Sequence, residues 1–208
     1  MAVNSPEQSK QQKVVIIDTG CANLSSVKFA VERLGYNVTV TYDADTIKAA
    51  DKVFLPGVGA AGAAMEIINE RGLVEVVQSL TQPVLGICLG MQLMTAFSEE
   101  GQVDCLQLTD DKVAPLQANG LRLPHMGWNT LTEIADHPLF AGVNQDDYFY
   151  FVHSFCVNPS GTTLATCDYG QTFAASIGRD NFMGVQFHPE RSGKSGAKII
   201  KNFLEMNA

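Results

Sequence analysis

Cys88 lies in the run Pro83-Val84-Leu85-Gly86-Ile87-Cys88-Leu89-Gly90, which places G-x-C-x-G between a strand-like and a helix-like stretch. This is the cysteine form of a nucleophile elbow. The turn is so tight that the nucleophile takes a strained backbone conformation, and glycines two residues to either side remove side chains that would collide. A sulfur held there stands at the carboxyl edge of a sheet, where the start of a helix favours thiolate over thiol. The N–H of Leu89 is then available to an oxyanion. By itself the elbow leaves two readings open, a nucleophile and a small buried hydrophobe.

A cysteine that forms an acyl-enzyme needs a base, and the base needs an orienting group. The four histidines are His125, His137, His153 and His188. His188 follows the apolar run Met183-Gly184-Val185-Gln186-Phe187 and precedes Pro189-Glu190, so it falls at a strand end, where the active sites of parallel sheets gather. Pro189 biases His188 towards extended backbone. Residues two apart in an extended chain point the same way. His188 and Glu190 are therefore expected to project together, the carboxylate holding one ring nitrogen while the other faces sulfur. The same residues also read as a surface H-P-E turn without chemistry. His125 and His153 are flanked by residues that can bury them and read as structural, and His137 reads as a loop residue. Phe54-Leu55-Pro56-Gly57-Val58-Gly59 offers a strand end whose two glycines let backbone amides approach a tetrahedral oxygen, although an ordinary strand-to-helix turn has the same look.

The elements that must position these groups follow from periodicity. Val14–Ile17 reads as a strand buried on both faces, followed by a helix carrying Leu24, Val27, Val31 and Leu34. Val38–Thr41, Lys52–Leu55 and Val84–Ile87 read as further strands. Ala60–Glu70, Leu73–Leu80 and Leu89–Phe97 read as helices. This alternation predicts a mostly parallel α/β sheet with helices on both faces. In the C-terminal half, Phe149–Val152, Thr163–Thr166, Phe173–Ile177 and Phe182–Phe187 are expected as antiparallel strand additions. A helix over Lys194–Met206 closes the chain. Residues 1–12 read as a mobile tail and residues 13–208 as a single domain.

Composition narrows the class. The chain of 208 residues has a formal charge of −8, which gives no electrostatic footprint for nucleic acid. No apolar run is long enough to span a bilayer and the N-terminus lacks a signal-peptide stretch, so a cytoplasmic protein is expected. Five cysteines, none spaced C-x-x-C, suggest neither a disulfide framework nor a zinc site. No metal or cofactor is expected.

P-G-V-G, then G-I-C-L-G-M-Q, then G-V-Q-F-H-P-E, in that order, resembles the class I (triad) glutamine amidotransferases over nearly the whole chain. The resemblance implies a flavodoxin-like fold and a Cys88-His188-Glu190 triad hydrolysing L-glutamine. It implies an oxyanion hole from Leu89, Val58 and Gly59, and substrate contacts from Gly57, Gln92, Ser154 and Phe155. Pro124-His-Met-Gly-Trp-Asn129 and Tyr150-Phe-Val-His-Ser-Phe155 narrow the likeness to the glutaminase subunits of imidazole glycerol phosphate synthases. That narrower likeness implies a (β/α)8-barrel cyclase partner, met near Asn23, Trp128, Tyr150 and Arg191. The glycines at 57 and 59 suggest in addition a Gly57–Val58 peptide that flips between a resting and an active oxyanion hole, making hydrolysis depend on the partner. Asp18-Thr19-Gly20-Cys21-Ala22-Asn23 and Arg191 depart from the usual family pattern. Three other readings stand beside this one: an aspartic protease on the strength of Asp18-Thr19-Gly20, another triad amidotransferase such as that of vitamin B6 synthesis, and a non-catalytic module on the same fold.

Overall fold

Four β-branched or aliphatic residues, Val14–Ile17, are all buried, and they form the strand from which the sheet grows. The computed structural model describes residues 12–20 and 23–207. The expected tail, residues 1–12, therefore lies outside the described residues except for Gln12, which donates from Nε2 to Leu204 O at 3.1 Å.

In chain order the first half runs β1 (Val14–Ile17), α1 (Leu24–Glu32), β2 (Val38–Thr41), α2 (Ala44–Lys48), β3 (Lys52–Gly57), α3 (Ala61–Glu70), α4 (Leu73–Gln78), β4 (Val84–Cys88) and α5 (Leu89–Leu93). The second half adds the short strands β5 (Phe97–Ser98), β6 (Val103–Asp104) and β7 (Lys112–Pro115). It continues with β8 (His125–Thr130), β9 (Tyr148–His153), β10 (Phe155–Val157), β11 (Thr163–Tyr169), β12 (Gln171–Arg179), β13 (Phe182–Val185) and α6 (Gly193–Glu205).

The central sheet has the order β11-β12-β13-β4-β3-β1-β2. Strands β2, β1, β3, β4 and β13 are mutually parallel, and β12 and β11 add antiparallel to that edge. Neighbouring residues of one strand serve opposite cores. Val14 and Ile16 pack with Phe54, Leu85, Ile199 and Phe203, whereas Val15 and Ile17 pack with Val53, Leu55, Met65 and Val77. Successive side chains of a strand point to opposite faces, so a run that is apolar at every position needs helices on both sides. Among the described residues no helix is long and apolar enough to cross a membrane.

Three expectations need correction, and one strand was not expected. The helix after Cys88 ends at Leu93 rather than Phe97, because Thr95 Oγ1 donates to Gln92 O at 2.8 Å and Phe97 turns into β5. The strand at Phe182 is a parallel neighbour of β4, and so carries His188 towards the elbow. Phe149–Val152 does not extend the central sheet; it pairs with β8 in a separate two-stranded ribbon, where His125 faces His153 and Trp128 faces Tyr150. The other strand of that ribbon, His125–Thr130, has no strand signal in the sequence, and its period is broken by Gly127 at φ 138°.

Candidate active site

Cys88 has φ 54° and ψ −110°, a conformation that a residue with a Cβ adopts only under constraint from its surroundings. The constraint is visible at the flanking glycines. A Cβ on Gly90 would stand 1.7 Å from Leu55 O, and one on Gly86 would stand 2.8 Å from the Gly90 backbone. The two glycines let α5 press against the ends of β3 and β4, and the sulfur is thereby fixed at the carboxyl edge of the sheet. Leu89 opens α5, so its N–H belongs to the first turn, whose amides have no intrahelical acceptor.

His188 reaches the same place from the end of β13. Its backbone N–H donates to Tyr150 O at 2.8 Å, and its carbonyl accepts from Ser192 Oγ at 2.6 Å. Its Nδ1 lies 2.8 Å from Glu190 Oε1, with the two side chains 2% and 0% exposed. The route to this pairing differs from the one expected. His188 is extended, at φ −96° and ψ 95°, but Pro189–Arg191 is a 3-10 turn rather than a continued strand. The turn folds the carboxylate back beneath the ring.

Nε2 of His188 is buried and has no hydrogen-bond partner among the described residues. It borders a cavity of about 280 Å³ together with Cys88. Burial alone would push the imidazole pKa down. The Cys88 sulfur and the Glu190 carboxylate outweigh it and raise the value to about 10. The site therefore favours an imidazolium beside sulfur, the charge arrangement of an activated cysteine. Burial drives the thiols of Cys105, Cys156 and Cys167 up to about 11, 11 and 12. Cys21 lies outside the described residues.

Val58, Gly59, Leu89, Gln92, Ser154 and Phe155 all line the same cavity. Gly57 stands beside them: it ends β3 opposite Cys88, and a Cβ there would press on Gly90 N and Leu89 Cβ at 3.1 Å, so its bare backbone admits the helix. Gln92 Nε2 donates to Phe155 O at 2.9 Å and to Gln186 Oε1 at 2.8 Å. Both amide protons are occupied, which leaves Oε1 as the group it can offer. Gln186 was not expected at the site, yet it is fully buried and its Nε2 approaches Cys88 Sγ at 3.7 Å. Glu100 was also missed: among the described residues it is the one carboxylate lining the cavity, with Oε2 accepting from Ala61 N–H at 3.1 Å.

The four residues expected at a partner surface fall together. Trp128 is 55% exposed and meets Tyr150 edge-on with ring centroids 6.0 Å apart. The Arg191 guanidinium lies 5.0 Å from the Tyr150 ring centre. Asn23 Nδ2 donates to Glu190 Oε1 at 2.8 Å. Asp18, by contrast, has its Oδ1 bound by Gly20 N–H at 2.8 Å and paired with Arg71 at 3.3 Å. A carboxylate so held, at the end of a parallel strand, gives no support to an aspartic-protease dyad.

A family model, glutamine amidotransferase class-I, matches residues 15–206. A protein of Pasteurella multocida, "Imidazole glycerol phosphate synthase subunit HisH", is 60% identical over 93% of this chain and 98% of its own. A protein of the same name from Colwellia psychrerythraea is 56% identical over 94% of each chain. A solved structure titled as a glutamine amidotransferase superposes with a TM-score of 0.71 at 18% identity, covering 92% of this chain and 97% of that one. Likeness at that identity speaks to the fold alone.

Proposed function

The chain belongs to the class I glutamine amidotransferase family, and we infer that it is the glutaminase subunit of an imidazole glycerol phosphate synthase, serving histidine biosynthesis. Relatives of that name match it at 56% and 60% identity over nearly their whole length. The observation that carries the chemistry is the His188 ring, held at Nδ1 by Glu190 at 2.8 Å while Nε2, beside Cys88, has no hydrogen-bond partner among the described residues.

The reaction is then L-glutamine and water to L-glutamate and ammonia. Cys88 thiolate attacks the side-chain amide carbon, and the tetrahedral oxygen is met by the Leu89 N–H and by an amide of the 58–59 segment. His188 gives its Nε2 proton to the departing nitrogen, and the C–N bond breaks to leave a thioester. His188 next takes a proton from water, whose oxygen attacks the thioester carbon and frees the thiolate and glutamate. Glu190 keeps the ring aligned throughout.

Specificity for glutamine follows from what the cavity still offers. Gln92 Oε1 can accept from the substrate amide, and the Glu100 carboxylate suits an α-ammonium. An α-carboxylate is suited by backbone N–H groups of the 154–155 segment, since the Ser154 and Phe155 carbonyls already accept from Leu116, Gln92 and His153. A ligand lacking these groups would leave buried polar atoms unpaired.

Ammonia passes to a (β/α)8-barrel cyclase partner in the cytoplasm, with Trp128, Tyr150, Arg191 and Asn23 at or near the contact. There it joins a phosphoribulosyl formimino compound to give imidazole glycerol phosphate and an aminoimidazole carboxamide nucleotide. An affinity-labelling glutamine analogue should modify Cys88 stoichiometrically and abolish ammonia release from the complex. Labelling confined to another cysteine, with activity lost, would refute the assignment.

A further inference from the structure

A series of polar groups, from half-buried Asn129 to His153 in the cavity wall and on to Gln92, joins the β8–β9 ribbon to the nucleophile, and the reaction above gives its two histidines no role. Asn129 Nδ2 lies 3.4 Å from His125 Nε2, His125 Nδ1 lies 3.0 Å from His153 Nε2, and His153 Nδ1 lies 2.9 Å from Phe155 O. A carbonyl oxygen only accepts, so His153 Nδ1 carries a proton. Its Nε2 then accepts in the neutral ring, which places the proton of His125 on Nδ1 and makes His125 Nε2 the acceptor for Asn129. The Asn129 amide cannot turn round to suit another arrangement, because Oδ1 accepts from Thr130 N–H at 2.9 Å and Nδ2 also donates to Asp168 O at 3.0 Å. One terminal carbonyl and one pinned amide therefore determine the tautomer of both rings, and a second proton on either ring would set two donors face to face.

The rings are held sideways as well. His125 stacks on Tyr169 with centroids 4.0 Å apart and on Phe151 at 4.9 Å. At the far end Phe155 O also accepts from Gln92, whose amide binds Gln186, whose amide approaches Cys88 Sγ. The ribbon is not part of the central sheet, and its outer face carries the exposed Met126 and Trp128.

We propose that the His125–His153 pair is a positioning device, a tautomer-locked strut that fixes the ribbon against the 153–155 segment and so places Phe155 O and Gln92 for glutamine. The inference rests on the reading of this cavity as a glutamine site. The pair touches no reacting atom, and its effect falls on where the substrate amide is held.

Two measurements test it. Nitrogen-15 NMR of the full chain at neutral pH should show both rings neutral and protonated at Nδ1; His153 protonated at Nε2 would overturn the proposal without reference to activity. Steady-state glutaminase kinetics of the complex with its cyclase partner form the second arm. His125→Phe keeps the stack but removes the donor to His153, and should raise KM for glutamine by about tenfold with a much smaller change in kcat. His125→Asn, whose Nδ2 can donate from the place of the imidazole Nδ1, should restore most of the loss. An unchanged KM in His125→Phe, or equal impairment in both variants, would overturn the strut while leaving the glutaminase reading intact. A wild-type complex without glutaminase activity would sink that reading instead.

Discussion

Asn23 and His188 bind the same oxygen. Asn23 Nδ2 donates to Glu190 Oε1 at 2.8 Å, and His188 Nδ1 lies 2.8 Å from that atom. The carboxylate that orients the base is thus itself oriented by a residue at the N-terminus of α1, held at φ 80°. The other oxygen, Oε2, is buried and has no hydrogen-bond partner among the described residues, so among these Asn23 and His188 are the side chains that hold the carboxylate.

Asn23→Gly tolerates the positive φ and removes only the amide. The fold should be retained, with a thermal midpoint close to wild type, while kcat for glutamine hydrolysis by the complex falls by about tenfold, the usual effect of losing one hydrogen bond to a charged group. Wild-type kcat in the glycine variant would show that Glu190 needs no such support.

Strain at the elbow makes a stability prediction independent of catalysis. Glycine adopts φ 54° and ψ −110° far more readily than a residue bearing a Cβ. Cys88→Gly should therefore be more stable than Cys88→Ala by about 1 kcal/mol in urea unfolding, the reverse of the usual order of alanine over glycine. Neither should hydrolyse glutamine.

The His188 imidazole is raised to about 10, against about 6.5 in an unfolded chain. The folded state holds this proton more tightly than the unfolded state. The resulting stabilisation is complete below about pH 6.5 and is lost as pH rises through about 10. Unfolding free energy should decline across that window, and less steeply in Cys88→Ala, which lacks the sulfur that helps to hold the proton. Equal declines in the two proteins would assign the pH dependence to other groups.

Trp128 is exposed on the ribbon, as is Tyr148, and it is braced by Tyr150, which in turn carries Arg191 over its face. Buried aromatic anchors of this kind dominate interface energies. Trp128→Ala should weaken association with the cyclase subunit by at least about tenfold in a titration, and leave the melting temperature of the isolated chain nearly unchanged. Unaltered affinity would place the partner on another face.

What was legible in the sequence was local. Pro83–Gly90 announces its own strand, turn and helix, and the two glycines of the elbow are explained by contacts of only a few ångströms. The apolar run before His188 marks a strand end in the same way. Asn23 on Glu190 spans 167 residues, Gln186 on Cys88 spans 98, and no periodicity encodes such meetings. Glu100 follows the short β5, where two residues are too few to show a period. Strand β8 was missed because Pro124, Gly127 and the alternation of His125 and Trp128 do not make an apolar stripe. Its stability comes instead from His125 lying between Tyr169 and Phe151.

The measurement that bears most directly on the account is ammonia release from glutamine by the chain in complex with its barrel subunit, wild type against Cys88→Ala. The account predicts release at the background rate from a variant that still folds and still binds the barrel. Release at a near-normal rate would show that the sulfur at the elbow is not the nucleophile.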